Sequence, residues 1–335
     1  MAKQRRRKGR SISGIIVLDK AVGLSSNMAL QEVKWLFEAN KAGHTGSLDP
    51  LATGVLPLCL GEATKVSQFL LNSDKRYRAR IKLGIRTDSA DSEGQVIAQC
   101  DEVNVSREQV EQALQSFKGE TQQIPPMHSA LKVDGVPLYK LAREGKTISR
   151  EARSICVYEL ELTDFQGDEI ELEITCSKGT YIRTIADDLG QDLGCGAHII
   201  ALRRLQAGAF TEADCVSTDA LREVKEKHGM DRLDQNLIPM DRAIEDLPEV
   251  NLPNIAASQF KNGQSVLVRH LPEEGLVRLY EEEQFIGIGC IDDDGKVFKI
   301  GDYIKFEKGS EHSSFSKTGC TLLVILYGGT NELIN

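Results

Sequence analysis

The chain has 335 residues, 41% of them hydrophobic and 27% charged, ordinary values for a soluble protein with one large domain and a small one. No apolar run approaches the ~20 residues of a membrane span, no apolar segment follows the basic start as in a secretory signal, and eight cysteines without a C-x-x-C and six histidines without ligand spacing signal no zinc site. The net charge of −9 argues at first against nucleic acid, but residues 1–83 hold 15 basic and 6 acidic side chains against 26 and 44 in the remainder, and phosphate binding follows the local field.

Residues 1–10 carry six positive charges and almost nothing apolar, which predicts a solvated, disordered tail. Gly14–Leu18 is a short β-branched run and predicts a buried strand. Ser25, Ser26 and Asn27 offer N-caps to a helix packed by Ala29, Leu30, Val33, Leu36 and Phe37. Residues 43–54 (GHTGSLDPLATG) have neither helical nor strand period and predict an irregular loop. Val55–Leu60 reads as strand, and Glu62–Leu71 as a helix with Val66, Phe69 and Leu70 inward.

Lys75–Leu83 alternates most clearly: Tyr77, Ala79, Ile81 and Leu83 share one face, Arg76, Arg78, Arg80 and Lys82 the other. Those cations can track phosphates or simply solvate an exposed face, and both readings stand at this point. Ser106 and Gln109 form a capping box before Val110, Ala113, Leu114 and Phe117, and Gly119 stops that helix. Asp134-Gly135 signals a hairpin. Ile170, Leu172, Ile174 and Cys176 alternate with glutamates, and the chain then runs through Lys178-Gly179 into a helix packed by Ile182, Ile185, Ala186, Leu189 and Leu193.

Hairpins without regular βαβ units point to an α+β fold with a largely antiparallel sheet. Three prolines between Leu237 and Asn254 mark a domain boundary. Beyond it Ser265–Arg269, Leu276–Tyr280 and Phe285–Ile291, with a turn at Asp294-Gly295, suggest a small β domain.

Asp49 sits in the glycine-rich loop, and Pro50 holds it in an extended conformation. Taken alone, an Asp-Pro in a loop is more often a turn or cap residue. Its surroundings say more. Gly43-His44-Thr45-Gly46-Ser47-Leu48-Asp49-Pro50-Leu51-Ala52-Thr53-Gly54 resembles the catalytic motif of the TruB-type tRNA pseudouridine-55 synthases. The resemblance continues at Gly14–Gly23, Gly61–Lys65, Lys75-Arg76-Tyr77 and Thr87-Asp88. It returns at Pro125–Lys132, Lys178–Thr184, Cys195–His198 and Leu202–Leu205, in order, across residues 11–245.

The resemblance implies a pseudouridine-synthase fold: a mixed, largely antiparallel sheet flanked by helices, with a small C-terminal β-barrel-like, PUA-like RNA-binding domain. The implied layout is a basic tail over 1–10, a catalytic domain over 11–245, the PUA-like domain over 250–306 and an atypical tail over 307–335. It implies isomerisation of uridine to pseudouridine in the T-loop, with tRNA, through its T-arm, as partner and no cofactor or metal. Asp49 is implied as nucleophile, with Arg183 as its ionic partner and Tyr181 near the reacting carbon. Tyr77 would stack on the flipped base and Leu202 enclose it, with His44, Lys20 and Lys65 contacting substrate. A cytoplasmic monomer is expected. Ala21 departs from the family, which has proline there, and residues 309–335 match nothing in it.

The chemistry suits a carboxylate, which can bond covalently to sugar or base and then leave. A tRNA-binding folding factor is the reading from another class. A hydrolase lacks a paired carboxylate at an identifiable site, and the phosphate-loop order G-x-x-x-x-G-K-[ST] is absent.

Overall fold

The computed structural model describes residues 9–133, 135–264, 266–267, 275–291 and 296–299. Most of the expected 1–10 tail, Asp134 of the hairpin signal, the Asp294-Gly295 turn and the 307–335 tail lie outside the described residues. The chain divides into two units, residues 1–243 and 244–335.

The first unit runs β1 (Gly14–Lys20), α1 (Ser26–Leu36), β2 (Ala42–His44), β3 (Thr53–Leu60), α2 (Ser67–Asn72), β4 (Lys75–Leu83), β5 (Ile85–Thr87), β6 (Val96–Gln99) and α3 (Arg107–Leu114). It continues β7 (Gly119–Gln123), β8 (Lys132–Val133), β9 (Val136–Pro137), α4 (Leu138–Arg143), β10 (Arg153–Gln166), β11 (Glu169–Cys176), α5 (Ile182–Asp192), β12 (Ala197–Ala207), β13 (Phe210–Thr211) and α6 (Thr218–Asp234).

The register between β4 and β11 follows from period-two alternation. Ile81 lies opposite Ile170, Ala79 opposite Leu172 and Tyr77 opposite Ile174, while Arg78 and Arg80 lie opposite Glu173 and Glu171. A slip of one residue would bury the charges, so this register is the one both faces favour. On the outer face Arg78 pairs with Glu173 (2.6 Å), Arg80 with Glu169 (2.8 Å), Lys82 with Asp168 (2.7 Å) and Arg76 with Glu173. The cationic row is thus laced to carboxylates across the strand pair.

Around this pair the sheet has the order β1-β3-β12-β4-β11-β10-β7, with β2 added to β3 and β13 to β12. All its pairings are antiparallel except β3 with β12. The sheet is therefore mixed and largely antiparallel. That parallel contact sets Gly54 against Arg204; Gly54 has φ +94°, and a Cβ there would lie 2.2 Å from the Arg204 carbonyl oxygen. Glycine is required.

The core joins the inner sheet face to Ala29, Leu30, Val33 and Leu36 of α1, Val110 and Leu114 of α3, and Ile182, Ile185, Ala186 and Leu189 of α5. Each fully buried Leu or Ile adds about 1.5–3 kcal/mol. Ser25 caps α1 by accepting from the Met28 amide (3.2 Å), and the Ser106–Gln109 capping box forms at α3. Glu62–Leu71 is not one helix: a 3₁₀ turn over Gly61–Lys65 precedes α2, because Thr64 and Ser67 hydroxyls bond back to the carbonyls of Gly61 and Thr64. Gly9 and Arg10, expected as the end of a disordered tail, are held: Arg10 donates to the Glu38 carbonyl and pairs with Asp234.

The second unit holds β14 (Glu249–Asn251), α7 (Asn254–Lys261), β15 (Val266–Leu267), β16 (Gly275–Glu281), β17 (Gln284–Ile291) and β18 (Lys296–Lys299), in sheet order β14-β16-β17-β18-β15. Its own core gathers Val250, Leu252, Phe260, Val277, Leu279, Ile286 and Ile291. No helix among the described residues is long and apolar enough to cross a membrane.

Candidate active site

The loop between β2 and β3 is irregular in period yet tightly held. Ser26, at the start of α1, donates to the Leu48 carbonyl (3.1 Å) and accepts from the Leu48 amide (2.7 Å). The Ala52 amide donates to the Asp49 carbonyl (3.0 Å), closing a turn with Pro50 in its favoured second position. The Pro50 carbonyl accepts from the Gly23 amide (2.8 Å) and from Lys20 Nζ (3.4 Å). Arg204 donates to the carbonyls of Gly46 (3.5 Å) and Val55 (2.6 Å), one near each end of the loop. The turn uses the backbone of Asp49, so its carboxylate is left for another partner.

That partner is Arg183. Its Nε lies 2.8 Å from Asp49 Oδ2. It is not a solvated first-turn residue of α5 but 4% exposed, with Nη1 donating to the Ser89 carbonyl (3.0 Å) and Nη2 to the His128 carbonyl (2.7 Å). Asp91 approaches Nη1 at 3.6 Å and is itself held by Ser89 Oγ at 2.6 Å. A fork fixed on four sides offers Asp49 one geometry.

The pair lies in a cavity of about 420 Å³ lined by Asp49, Tyr77, Tyr181, Arg183, Leu202 and Ser129, with Lys75 and Arg204 among the remaining walls. Asp49 keeps 40% of its side-chain surface accessible, so the carboxylate is reachable. Burial pushes its pKa above the ordinary carboxylate range, against the Arg183 guanidinium, while Asp91 adds to the rise. Tyr77 and Tyr181 are pushed up by burial, opposed by Arg204 beside the first and the Ser129 hydroxyl beside the second. A second cavity, of about 390 Å³, is walled by Phe117, Thr121, Ile155, Asp188 and Asp192 among others, and no cation lines it.

Five of the expected site residues, Asp49, Tyr77, Tyr181, Arg183 and Leu202, therefore share one cavity, and three do not reach its wall. Lys20, expected to touch substrate, is fully buried, with its ammonium donating to the carbonyls of Ala21 (2.9 Å), Leu24 (2.6 Å) and Pro50. It braces the loop, and burial lowers its pKa to about 8. His44 sits on β2 with Nδ1 buried and no hydrogen bond there, its pKa lowered by burial and by Arg204. Lys65 pairs with Glu62.

Several contributors carried no reading of their own from sequence. Gln123 ends β7 and clasps the backbone of Tyr181, accepting from its amide (2.8 Å) and donating to its carbonyl (3.1 Å). Tyr181 is the N-cap of α5 and has no side-chain cap, so Gln123 supplies one from across the sheet. Asp91, Lys75 and Arg204 are the others, and Ser26, read as a candidate N-cap, serves the loop instead. Arg204 had one available signal, its even spacing with inward Leu202 on a strand. Among the described residues no cluster of His, Cys, Asp and Glu could hold a metal ion.

The family description "TruB family pseudouridylate synthase (N terminal domain)" matches residues 34–182. "tRNA pseudouridylate synthase B C-terminal domain" matches 183–245, and "Pseudouridine synthase II TruB, C-terminal" matches 248–298. Proteins named tRNA pseudouridine synthase B are similar over most of both chains. That of Tolumonas auensis is 54% identical, covering 89% of this chain and 94% of its own. That of Yersinia pestis is 56% identical, covering 87% and 92%. Among solved structures, one of a Cbf5–Nop10–Gar1 complex is similar with a TM-score of 0.63 and 28% identity, covering 83% of this chain and 78% of the other.

Proposed function

This chain belongs to the TruB family of pseudouridylate synthases and is a tRNA pseudouridine synthase, and on that premise we propose that it isomerises uridine 55 in the T-loop through covalent catalysis by Asp49. The observation that carries the assignment is the 2.8 Å contact between Asp49 and Arg183 inside a cavity walled by Tyr77 and Tyr181.

The reaction breaks the C1′–N1 bond, turns the detached uracil and joins C5 to C1′. Asp49 is the group that bonds and leaves. Arg183 orients it and opposes the rise in pKa that burial imposes, which favours its carboxylate form. The target base must leave its stack to reach the cavity; this costs a few kcal/mol, recovered by stacking and edge hydrogen bonds. Tyr77 supplies the stacking face, Leu202 closes over the base, and Tyr181 stands near C5. Lys20 is assigned to holding the loop. His44 and Lys65, off the cavity wall, are assigned to the RNA flanking the target. The second unit is assigned as a PUA-like module for the T-arm, in a cytoplasmic monomer.

The test is to incubate the protein with unmodified tRNA transcript and map pseudouridine by carbodiimide–reverse-transcriptase stops, beside Asp49→Asn. A stop at the T-loop uridine that disappears in the variant, with RNA affinity kept, supports reaction, site and nucleophile. Tight binding without any stop favours a folding factor. A chain ending at Glu245 is expected to bind tRNA more weakly with chemistry retained; equal binding would remove the RNA role of the second unit. Sedimentation of the free protein as a dimer would overturn the monomer.

A further inference from the structure

Arg204 heads the large side chains that solvent barely reaches, at 1% exposure. Its guanidinium is hydrogen-bonded to the carbonyls of Val55 and Gly46 and stands beside the Tyr77 hydroxyl. Among the described residues no carboxylate pairs with it. The other buried arginine of the cavity, Arg183, faces two: Asp49 at 2.8 Å and Asp91 at 3.6 Å. A desolvated cation without a counter-ion is costly for a fold to keep, and such departures concentrate where function requires them.

The neighbourhood deepens the imbalance. Lys20 and Lys75 are both buried, and burial lowers each to about 8, with the Arg204 charge adding to the shift. Of the charged side chains that line the cavity, Lys75, Arg183 and Arg204 are cationic and Asp49 is anionic, with Asp91 facing Arg183 from behind; Asp74 acts on Lys75 and Glu93 on the buried Lys20. The cavity wall therefore suits a negative charge beyond that of Asp49. Tyr77, the proposed stacking face, is among the cavity residues that Arg204 adjoins.

The proposed reaction generates such a charge. When an Asp49 carboxylate oxygen bonds to C1′ and C1′–N1 breaks, the electron pair of the broken bond leaves on N1, and uracil becomes a monoanion spread over N1, O2 and O4. The charge persists until C5 bonds to C1′ and Asp49 departs; C5 then loses a proton and N1 gains one, so the product is a neutral isomer. We propose that Arg204 is the fixed cation that stabilises this detached uracil anion while the base turns. It is aimed in advance by Val55 and Gly46, and so needs no reorganisation when the charge develops. The inference rests on the pseudouridine reading and adds a residue to it.

The experiment measures single-turnover base detachment by Arg204→Met and Arg204→Lys on two full-length tRNA transcripts. One carries uridine at the target and the other 5-fluorouridine, whose base bears the negative charge more easily. Arg204→Met is expected to slow the uridine reaction ~100-fold, the scale for one fixed donor at a developing charge, with RNA affinity within about threefold, since the interaction exists only after bond breaking. On 5-fluorouridine the loss is expected to shrink to about tenfold or less, because less stabilisation is needed. Arg204→Lys keeps a cation but not the fork, and is expected to retain at least about a tenth of turnover. Equal losses on the two RNAs, or a lysine variant as slow as the methionine one, would overturn the proposal and leave Arg204 as a clasp of the loop. If Arg204→Met does not fold, the lysine variant decides by the same two criteria: its turnover and its ratio between the RNAs. A wild-type protein that detaches neither base would sink the pseudouridine reading instead.

Discussion

The outer face of β4 and the cavity on its other side carry the same kind of side chain under opposite conditions. Arg76, Arg78 and Arg80 are about half exposed and laced to glutamates of β11. Arg183 and Arg204 are withdrawn from water, one held against two carboxylates and the other against two carbonyls and the Tyr77 hydroxyl. An exposed pair contributes about 0–1 kcal/mol, because water screens it and two long side chains must be ordered. Breaking a buried pair costs about 3–5 kcal/mol, because the remaining charge stays desolvated. The comparison teaches that arginine count says little about chemistry, whereas desolvation says a great deal.

The contrast is broken most severely at Arg183. Arg183→Ala leaves Asp49 and Asp91 without their shared cation, and turnover is expected to fall ~10²–10³-fold. Stability should drop by about 2–3 kcal/mol, less than for a fully buried pair because Asp49 is partly accessible. Thermal denaturation and single-turnover kinetics read both, and unchanged turnover would remove the ion pair from the mechanism.

The pH profile sharpens the comparison next. The folded-state pKa of Asp49 lies above its ordinary 3.8, raised first by burial. Its nucleophilic form is the carboxylate, so turnover should fall as pH drops through the raised value, about tenfold per unit below it. Acid does not unfold the protein through this group, since protonation relieves the burial penalty. In Arg183→Lys or Arg183→Ala the acid limb should move to higher pH as the opposing cation weakens or vanishes. A midpoint at 3.8 or below in the parent would show Arg183 outweighing burial.

Gln123→Ala is expected to act at intermediate scale. It frees the N-cap of α5 and costs about 1–2 kcal/mol for two lost hydrogen bonds. Turnover should fall about tenfold as Tyr181 and the following turn loosen, with KM nearly unchanged. A change in KM alone would place Gln123 in RNA binding.

The smallest effect belongs to the ladder. Glu173→Gln should cost less than about 1 kcal/mol and leave turnover and tRNA affinity as they were. Tighter tRNA binding, with a steeper salt dependence, would mean that the freed Arg76 and Arg78 reach phosphate and that the glutamates compete with RNA.

Much of the scaffold was legible because it is local. The alternation of Lys75–Leu83 and of Ile170–Cys176, the capping box at Ser106 and the apolar spacing of α1 each need only a short window. The loop expected over 43–54 was also legible as a place where no period holds, although Gly43 and His44 end β2 and Thr53 and Gly54 begin β3. The 14-residue β10 was not, since RSICVYELELTDFQ is buried on one side only in part and has two register shifts against β11. Nor was the break at Val66, where hydroxyls of Thr64 and Ser67 compete for carbonyls a helix would use.

At the site the division follows contact order. The chain by itself determined which residue types stand in the loop and strands: an aspartate before proline, a tyrosine on an inward face, an arginine opening a helix. It could not decide that Ser26, one of three candidate caps, would lock Leu48 instead. It could not decide that Lys20 would brace Pro50 from within, or that Arg204, not Arg203, would lie under the cavity while Arg203 pairs outside with Asp19. Those outcomes depend on partners 22 to 184 residues away, and on how far each group is withdrawn from water. Periodicity is written in neighbouring residues; desolvation and hydrogen-bond partners exist only once distant segments have met.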